Sequence, residues 1–148
     1  MESKSVNLCR GKRKSDGKWV EGNYLHLNVG RDFICDGTAW IGTLTPCKEE
    51  VKPETVGQYT GLSDKAGREA FEHDIIRHRF GDEIGVIRYG KYANPFGDDS
   101  YGRHVGFYID WVAGSCPDCL RKDLGYWMRV TEIIGNIHDN PEILEGQT

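Results

Sequence analysis

The sharpest chemical motif in this chain is Cys116-Pro117-Asp118-Cys119. Two cysteines at this spacing can present two thiolates to one zinc ion. Cys35 and Cys47 are candidates for the two remaining positions, and His104 or His138 could complete such a site. The signature is half complete, because a structural zinc site usually carries two close pairs and eleven residues separate Cys35 from Cys47. A redox dithiol is a second reading, but the motif lacks a βαβ context. A loop with reduced thiols is the plainest reading. Three carboxylates, Glu69, Glu72 and Asp74, stand close together in YTGLSDKAGREAFEHDIIRH (59–78). Such a cluster could serve acid–base chemistry or a hard metal ion. No histidine or nucleophile stands at a recognisable spacing from them, so a charged, solvated loop is the simpler reading. No catalytic residue and no bound cofactor other than this possible zinc is assigned.

Two further groups could bind without reacting. Lys12, Arg13 and Lys14 form a short basic run that could touch phosphate. Three cations give only a weak salt-dependent attraction, and Ser15, Asp16 and Gly17 make a solvated turn the bland alternative. Trp19, Trp40, Trp111 and Trp127, with seven Tyr and five Phe, could stack on bases if exposed. Set in alternating strands, large rings belong more often to the core. Asp98 and Asp99 have the composition of a calcium loop without its spacing, and no phosphate loop, dinucleotide fingerprint, GxSxG or HExxH occurs.

The elements that must position these residues read as short strands between turns. VNLC (6–9) and WVEGNYLHLNV (19–29) flank a turn at Asp16-Gly17, and Leu25, Leu27 and Val29 alternate with polar residues. FIC (33–35) and TAWIGTL (38–44) flank a second hairpin signal, Asp36-Gly37. DIIRHRF (74–80), IGVIRYGKY (84–92) and HVGFYIDWV (104–112) are strand-like, with a loop by composition over YANPFGDDSYGR (92–103). LGYWMRVTEIIGNI (124–137) reads as one long aromatic and β-branched run in which Gly125 and Gly135 mark bulges or bends. Pro141 after Asp139 and Asn140 predicts one short C-terminal helical turn. Helical periodicity elsewhere is weak and confined to 66–76. The pattern predicts a mainly β chain, an SH3-like roll or small barrel of many short antiparallel strands.

The chain has 148 residues, enough for one domain with a core of its own, and 19 glycines fit many tight turns. The polar stretch 46–54 is the candidate sub-boundary between an N-terminal β element and a C-terminal barrel. Net charge is −4 but uneven: residues 1–31 hold seven basic against three acidic side chains. No apolar run approaches the ~20 residues of a membrane span. Lys4 is not followed by an apolar leader segment, and five cysteines fit reduced thiols, so a cytoplasmic location is expected.

Three stretches, in order, carry a resemblance. RGKRKSDGKWVEGNYL (10–25), VKPETVGQYTGLSDKAGREAFEHDIIR (51–77) and IIGNIHDNPEIL (133–144) resemble the opening, hallmark and closing elements of the YopX family of bacteriophage and prophage proteins. One departure is visible: the family usually has Glu-Gly-Asp where this chain has Glu72-His73-Asp74. If that position needs positive φ, His73 must tolerate it. The resemblance implies a mainly β, SH3-like architecture, phage or prophage origin and the host cytoplasm. It implies no reaction and carries over no catalytic residue. The expectation is a single unit over 1–148 that acts without catalysis, by binding a host or phage protein or itself. The alternatives are a nucleic-acid module using the Lys12–Lys14 arm, and a small metal-dependent enzyme using Cys116 and Cys119 with zinc.

Overall fold

The computed structural model describes residues 8–27, 30–35, 48–78, 83–92, 104–112 and 122–145. The chain divides into two compact units, Met1–Gly61 and Leu62–Thr148. Of the polar stretch 46–54, residues 48–54 are described and lie inside the first unit. The strand expected over TAWIGTL, the Asp36-Gly37 turn and all of the loop over 92–103 except Tyr92, which ends a strand, fall outside the described residues.

The first unit is an antiparallel meander. Its strands are β1 (Leu8–Lys12), β2 (Trp19–Leu27), β3 (Arg31–Cys35), β4 (Lys48–Glu50) and the first part of β5 (Gly57–Ser63), ordered β4-β3-β2-β1-β5. The Asp16-Gly17 signal does form the β1–β2 turn. Gly17 takes φ +73°, a value that favours glycine, and the Asp16 carboxylate accepts the Lys18 amide at 3.0 Å. Phe33, Ile34 and Val51 are buried, and a side chain at Gly11 would meet Val51 at 3.2 Å. Thr55, in a 3-10 turn over Pro53–Thr55, accepts the Lys12 amide through its hydroxyl at 2.9 Å.

In the second unit the last two residues of β5, Leu62 and Ser63, lead into β6 (Glu69–Phe71). The weak helical pattern over 66–76 is overridden here. Asp64 is buried, and its carboxylate accepts the amides of Ala66 at 2.9 Å, Arg68 at 2.8 Å and Ile133 at 2.9 Å. Those local bonds compete with a helix, and Gly67 at φ +84° ends any helical course. β7 (Asp74–His78), β8 (Ile84–Tyr92), β9 (His104–Trp111) and β10 (Thr131–Asn136) form an antiparallel sheet ordered β10-β7-β8-β9.

Both faces of this sheet are covered. Ile76, Ile87, Ile109 and Ile133 pack on one face with Ala70, Leu124, Trp127 and Met128. Ile75, Ile84 and Val86 pack on the other with Ile134, Ile137, Ile143 and Leu144. Successive strand residues point to opposite faces, so the neighbours Ile75 and Ile76 are both fully buried only because both faces are roofed. The roofs are α1 (Leu124–Trp127) with the residues after it, and α2 (Pro141–Glu145).

The run 124–137 is thus not one strand. Its first half lacks β-branched residues and winds into α1, with the Met128 amide donating to the Leu124 carbonyl at 3.0 Å. The extended part begins at Thr131, just after the first β-branched residue, Val130. Gly135 does mark a bulge: the register against β7 shifts between Ile133 and Gly135. The C-terminal helical turn starts at Pro141, as expected. The chain is mainly β, in two open antiparallel sheets; among the described residues neither closes into a barrel. No helix among them is long and apolar enough to cross a membrane.

Gly85 shows how tightly the β8–β9 pair is packed. A Cβ there would overlap Ile109 Cγ2 and lie 3.1 Å from the Trp111 ring. Gly85→Ala should destabilise the protein by about 1–3 kcal/mol through overpacking. Ile109→Ala should cost about 2–5 kcal/mol through the cavity it leaves. Urea unfolding measures both, and an unchanged midpoint for Gly85→Ala would show that the pair yields.

Candidate functional site

The Glu72-His73-Asp74 corner links β6 to β7, and backbone bonds fix it. The His73 amide donates to the Ile87 carbonyl of β8 at 2.7 Å, and the Ile137 amide donates to the His73 carbonyl at 3.0 Å. Serving both neighbours holds His73 at φ +78°, the one positive φ among the described non-glycine residues. An L-residue pays about 1–2 kcal/mol for that conformation. The position does need positive φ, as the departure from Glu-Gly-Asp raised.

A second loop brings a second imidazole. Asn136 is buried at the end of β10, and its side-chain oxygen accepts the amides of His138 at 3.0 Å and Asp139 at 2.9 Å. Its side-chain nitrogen donates to Asp139 at 3.0 Å, closing the loop on itself. The result places His138 Nε2 3.1 Å from His73 Nδ1, with the rings edge to face. Glu72 lies 3.6 Å from the other ring nitrogen of His73. One proton fits between the two facing nitrogens, so one ring must donate while the other accepts. Two imidazolium rings would oppose each other there. The corner therefore holds one imidazole–imidazole hydrogen bond beside a carboxylate.

The expected carboxylate cluster does different work. Asp74 is buried and accepts the Phe71 amide at 2.8 Å, which shapes the turn. Glu69 is half-buried on β6, and Glu72 faces His73. Among the described residues no group of three or more His, Cys, Asp and Glu is placed to hold a metal ion. Cys116, Cys119 and Cys47, the core of the zinc expectation, lie outside the described residues, as do Asp98, Asp99 and Trp40. Cys35 is a half-buried free thiol ending β3. His104 is exposed and stacks on Tyr92, with ring centres 5.2 Å apart.

A family model described as "YopX protein" matches residues 9–145. The chain belongs to the YopX family. No match is found among curated proteins.

The basic run of this YopX chain is largely engaged with acids. Arg13 pairs with Asp16 at 2.8 Å and Glu49 at 3.6 Å, and Lys14 pairs with Glu50 at 3.3 Å. Arg10 and Lys12 lie over the Trp19 ring. Of the tryptophans, Trp127 is buried and Trp111 packs against the same core, which fits the core reading. Tyr24, Tyr89 and Tyr126 are instead exposed.

Sequence reasoning missed a second cluster, in the first unit. Tyr24 and His26 on β2 both converge on buried Asp32 of β3: the Tyr24 hydroxyl donates to its carboxylate, and His26 Nδ1 lies 2.7 Å from the same oxygen. His26 stands directly opposite Asp32 in the ladder, a pairing readable only once the β2–β3 register is known. Partial burial and the bond to Asp32 push the Tyr24 hydroxyl up to about 12. The Tyr24 and His26 bonds hold the Asp32 carboxyl below its ordinary value.

Two outcomes are expected. His73→Ala keeps the strained backbone and loses the imidazole contact, whereas His73→Gly relieves the strain; the glycine variant should be the more stable of the two by about 1 kcal/mol in urea unfolding. The reverse order would remove the strain account. A carboxyl held low in the folded state stabilises above its unfolded pKa and loses that stabilisation as pH falls through its folded one. Asp32→Asn should therefore lower stability at neutral pH and flatten its loss in acid, below the ordinary aspartate value of 3.8. Thermal unfolding followed from neutral pH into that range reads it, and parallel curves for the two proteins would refute it.

Proposed function

We propose that this YopX protein is a non-enzymatic phage or prophage accessory module that works in the host cytoplasm by binding another protein, from the host or the phage, or itself. One observation carries the reading: the β8–β9 pair presents an exposed apolar surface. Tyr89 is 55% and Val105 62% exposed, on the same face as half-buried Phe107, whose ring meets Tyr89 at 5.0 Å. Large rings left in water beside an apolar strand fit the anchors of a protein interface. Phage origin and compartment rest on the family resemblance alone. Asp74, one of the three carboxylates considered for catalysis, is spent on the turn.

The nucleic-acid reading draws no comparable support. The cations around Arg13 and Lys14 already face carboxylates, which leaves little net charge for phosphate.

The test is affinity purification of the tagged protein from a host carrying the phage, with co-purifying proteins identified and quantified. A stoichiometric partner is expected. Tyr89→Ala should reduce its recovery about tenfold or more, the loss expected of an interface anchor. Glu69→Ala and Glu72→Ala should leave it intact. The opposite pattern, with the carboxylates needed and Tyr89 dispensable, would overturn the proposal.

A further inference from the structure

We propose that His73 and His138 form a two-imidazole site for one divalent transition-metal ion of the nickel, copper and zinc kind. The site lies within the second unit and does not depend on which partner the protein binds.

The separation of the two ligand atoms is the first reason. Two metal–imidazole bonds of about 2.0–2.1 Å, at the angles of a tetrahedral or square ion, hold their nitrogens about 2.9–3.4 Å apart. His73 Nδ1 and His138 Nε2 stand 3.1 Å apart. The hydrogen bond between the rings therefore already sets the spacing an ion needs. The rings meet at 80°, and the outer torsion of histidine is broad, so tilting them aims both lone pairs at one point.

Both backbones are also fixed before any ion arrives. The His73 amide is bonded to the Ile87 carbonyl, its carbonyl receives the Ile137 amide, and the Asn136 side chain holds the His138 amide. Little ordering remains to be done on binding. Glycine would take the +78° backbone of His73 without strain. Strain of this kind gathers where a side chain has a task, and the task here is to face a second imidazole.

The third reason is the carboxylate behind the ligand. Glu72 lies 3.6 Å from His73 Nε2, the ring nitrogen other than the one that meets His138. A carboxylate there favours a proton on Nε2 and leaves Nδ1 bare, the arrangement that commonly supports metal-bound histidine. On binding, His73 keeps its proton on Nε2 and His138 moves its proton from Nε2 to Nδ1. Both rings stay neutral, and the ion takes the place of the proton between them.

Imidazole nitrogen suits nickel, copper and zinc, whereas calcium and magnesium take oxygen. Among the described residues no third His, Cys, Asp or Glu joins the pair, so water completes the coordination. Water has access: the His73 side chain is 18% exposed and His138 is half-buried. The site calls on no residue of the Cys116–Cys119 motif. A bound ion would bridge the β6–β7 corner to the segment leading into α2.

The test is a calorimetric titration with nickel ion at about pH 7.5, where free imidazole is neutral. The full chain carries Cys116→Ser and Cys119→Ser, so that the cysteine pair adds nothing to the heat. One ion per chain should bind, and the thermal unfolding temperature should rise with nickel concentration. His138→Ala and His73→Gly should each weaken binding tenfold or more. The glycine variant relieves the strained backbone, so its loss of binding is not a loss of fold. Glu72→Gln should weaken binding about tenfold, the lower end of what an outer carboxylate contributes. His104→Ala, whose ring stacks on Tyr92 instead, should bind as the parent does. No binding at millimolar nickel, one ion per two chains, or binding unchanged in either His73→Gly or His138→Ala would each overturn the site.

Discussion

The second unit depends on how the chain turns into β7, and one residue holds that turn. The His73 amide reaches β8 and its carbonyl receives the amide of Ile137, so a single peptide region ties the sheet to the segment leading into α2. Satisfying both partners requires φ +78°. The strain is tolerated because the alternative is worse: relaxing the backbone would leave two polar groups of a half-buried corner without their bonds. With the turn fixed, Ile75 and Ile76 enter the sheet in a defined order, one to each face, and the two hydrophobic clusters follow.

Much of this was legible because it is written in local signals. Ile84–Tyr92 and His104–Trp111 alternate or run apolar between turn residues, and both form strands at almost the bounds the sequence suggests. Asp16-Gly17 and Pro141 act through their own backbone preferences. The misreadings are equally instructive. Leu124 to Trp127 looked like strand because aromatic residues favour sheets, yet burial of Leu124 and Trp127 against the core decides their conformation. The stretch after Asp64 looked faintly helical, but one carboxylate captures three amides, one of them from Ile133, far along the chain.

The candidate site divides the same way. Glu72, His73 and Asp74 stood out as a polar corner, and the positive φ at His73 followed from comparing the corner with a glycine-bearing pattern. That His138 would meet His73 could not be read, since 65 residues separate them and the contact depends on how Asn136 folds its loop. The convergence of Tyr24 and His26 on Asp32 is hidden for a related reason. It needs the register of β2 against β3, which side-chain types alone leave open.

The bulge in β10 acts as a register lock. Gly135 faces Asn140 so closely that an added Cβ would lie 2.5 Å from its side-chain oxygen. Sliding β10 by one residue would bring Ile134 or Asn136 to that place, and neither side chain fits. The same slip would exchange the faces of Ile133 and Ile134, each of which now packs in its own cluster. A mispaired β10 therefore pays twice, once in steric overlap and once in exposed apolar surface. The glycine that looks like a weak point in the strand is what makes its pairing unambiguous during folding.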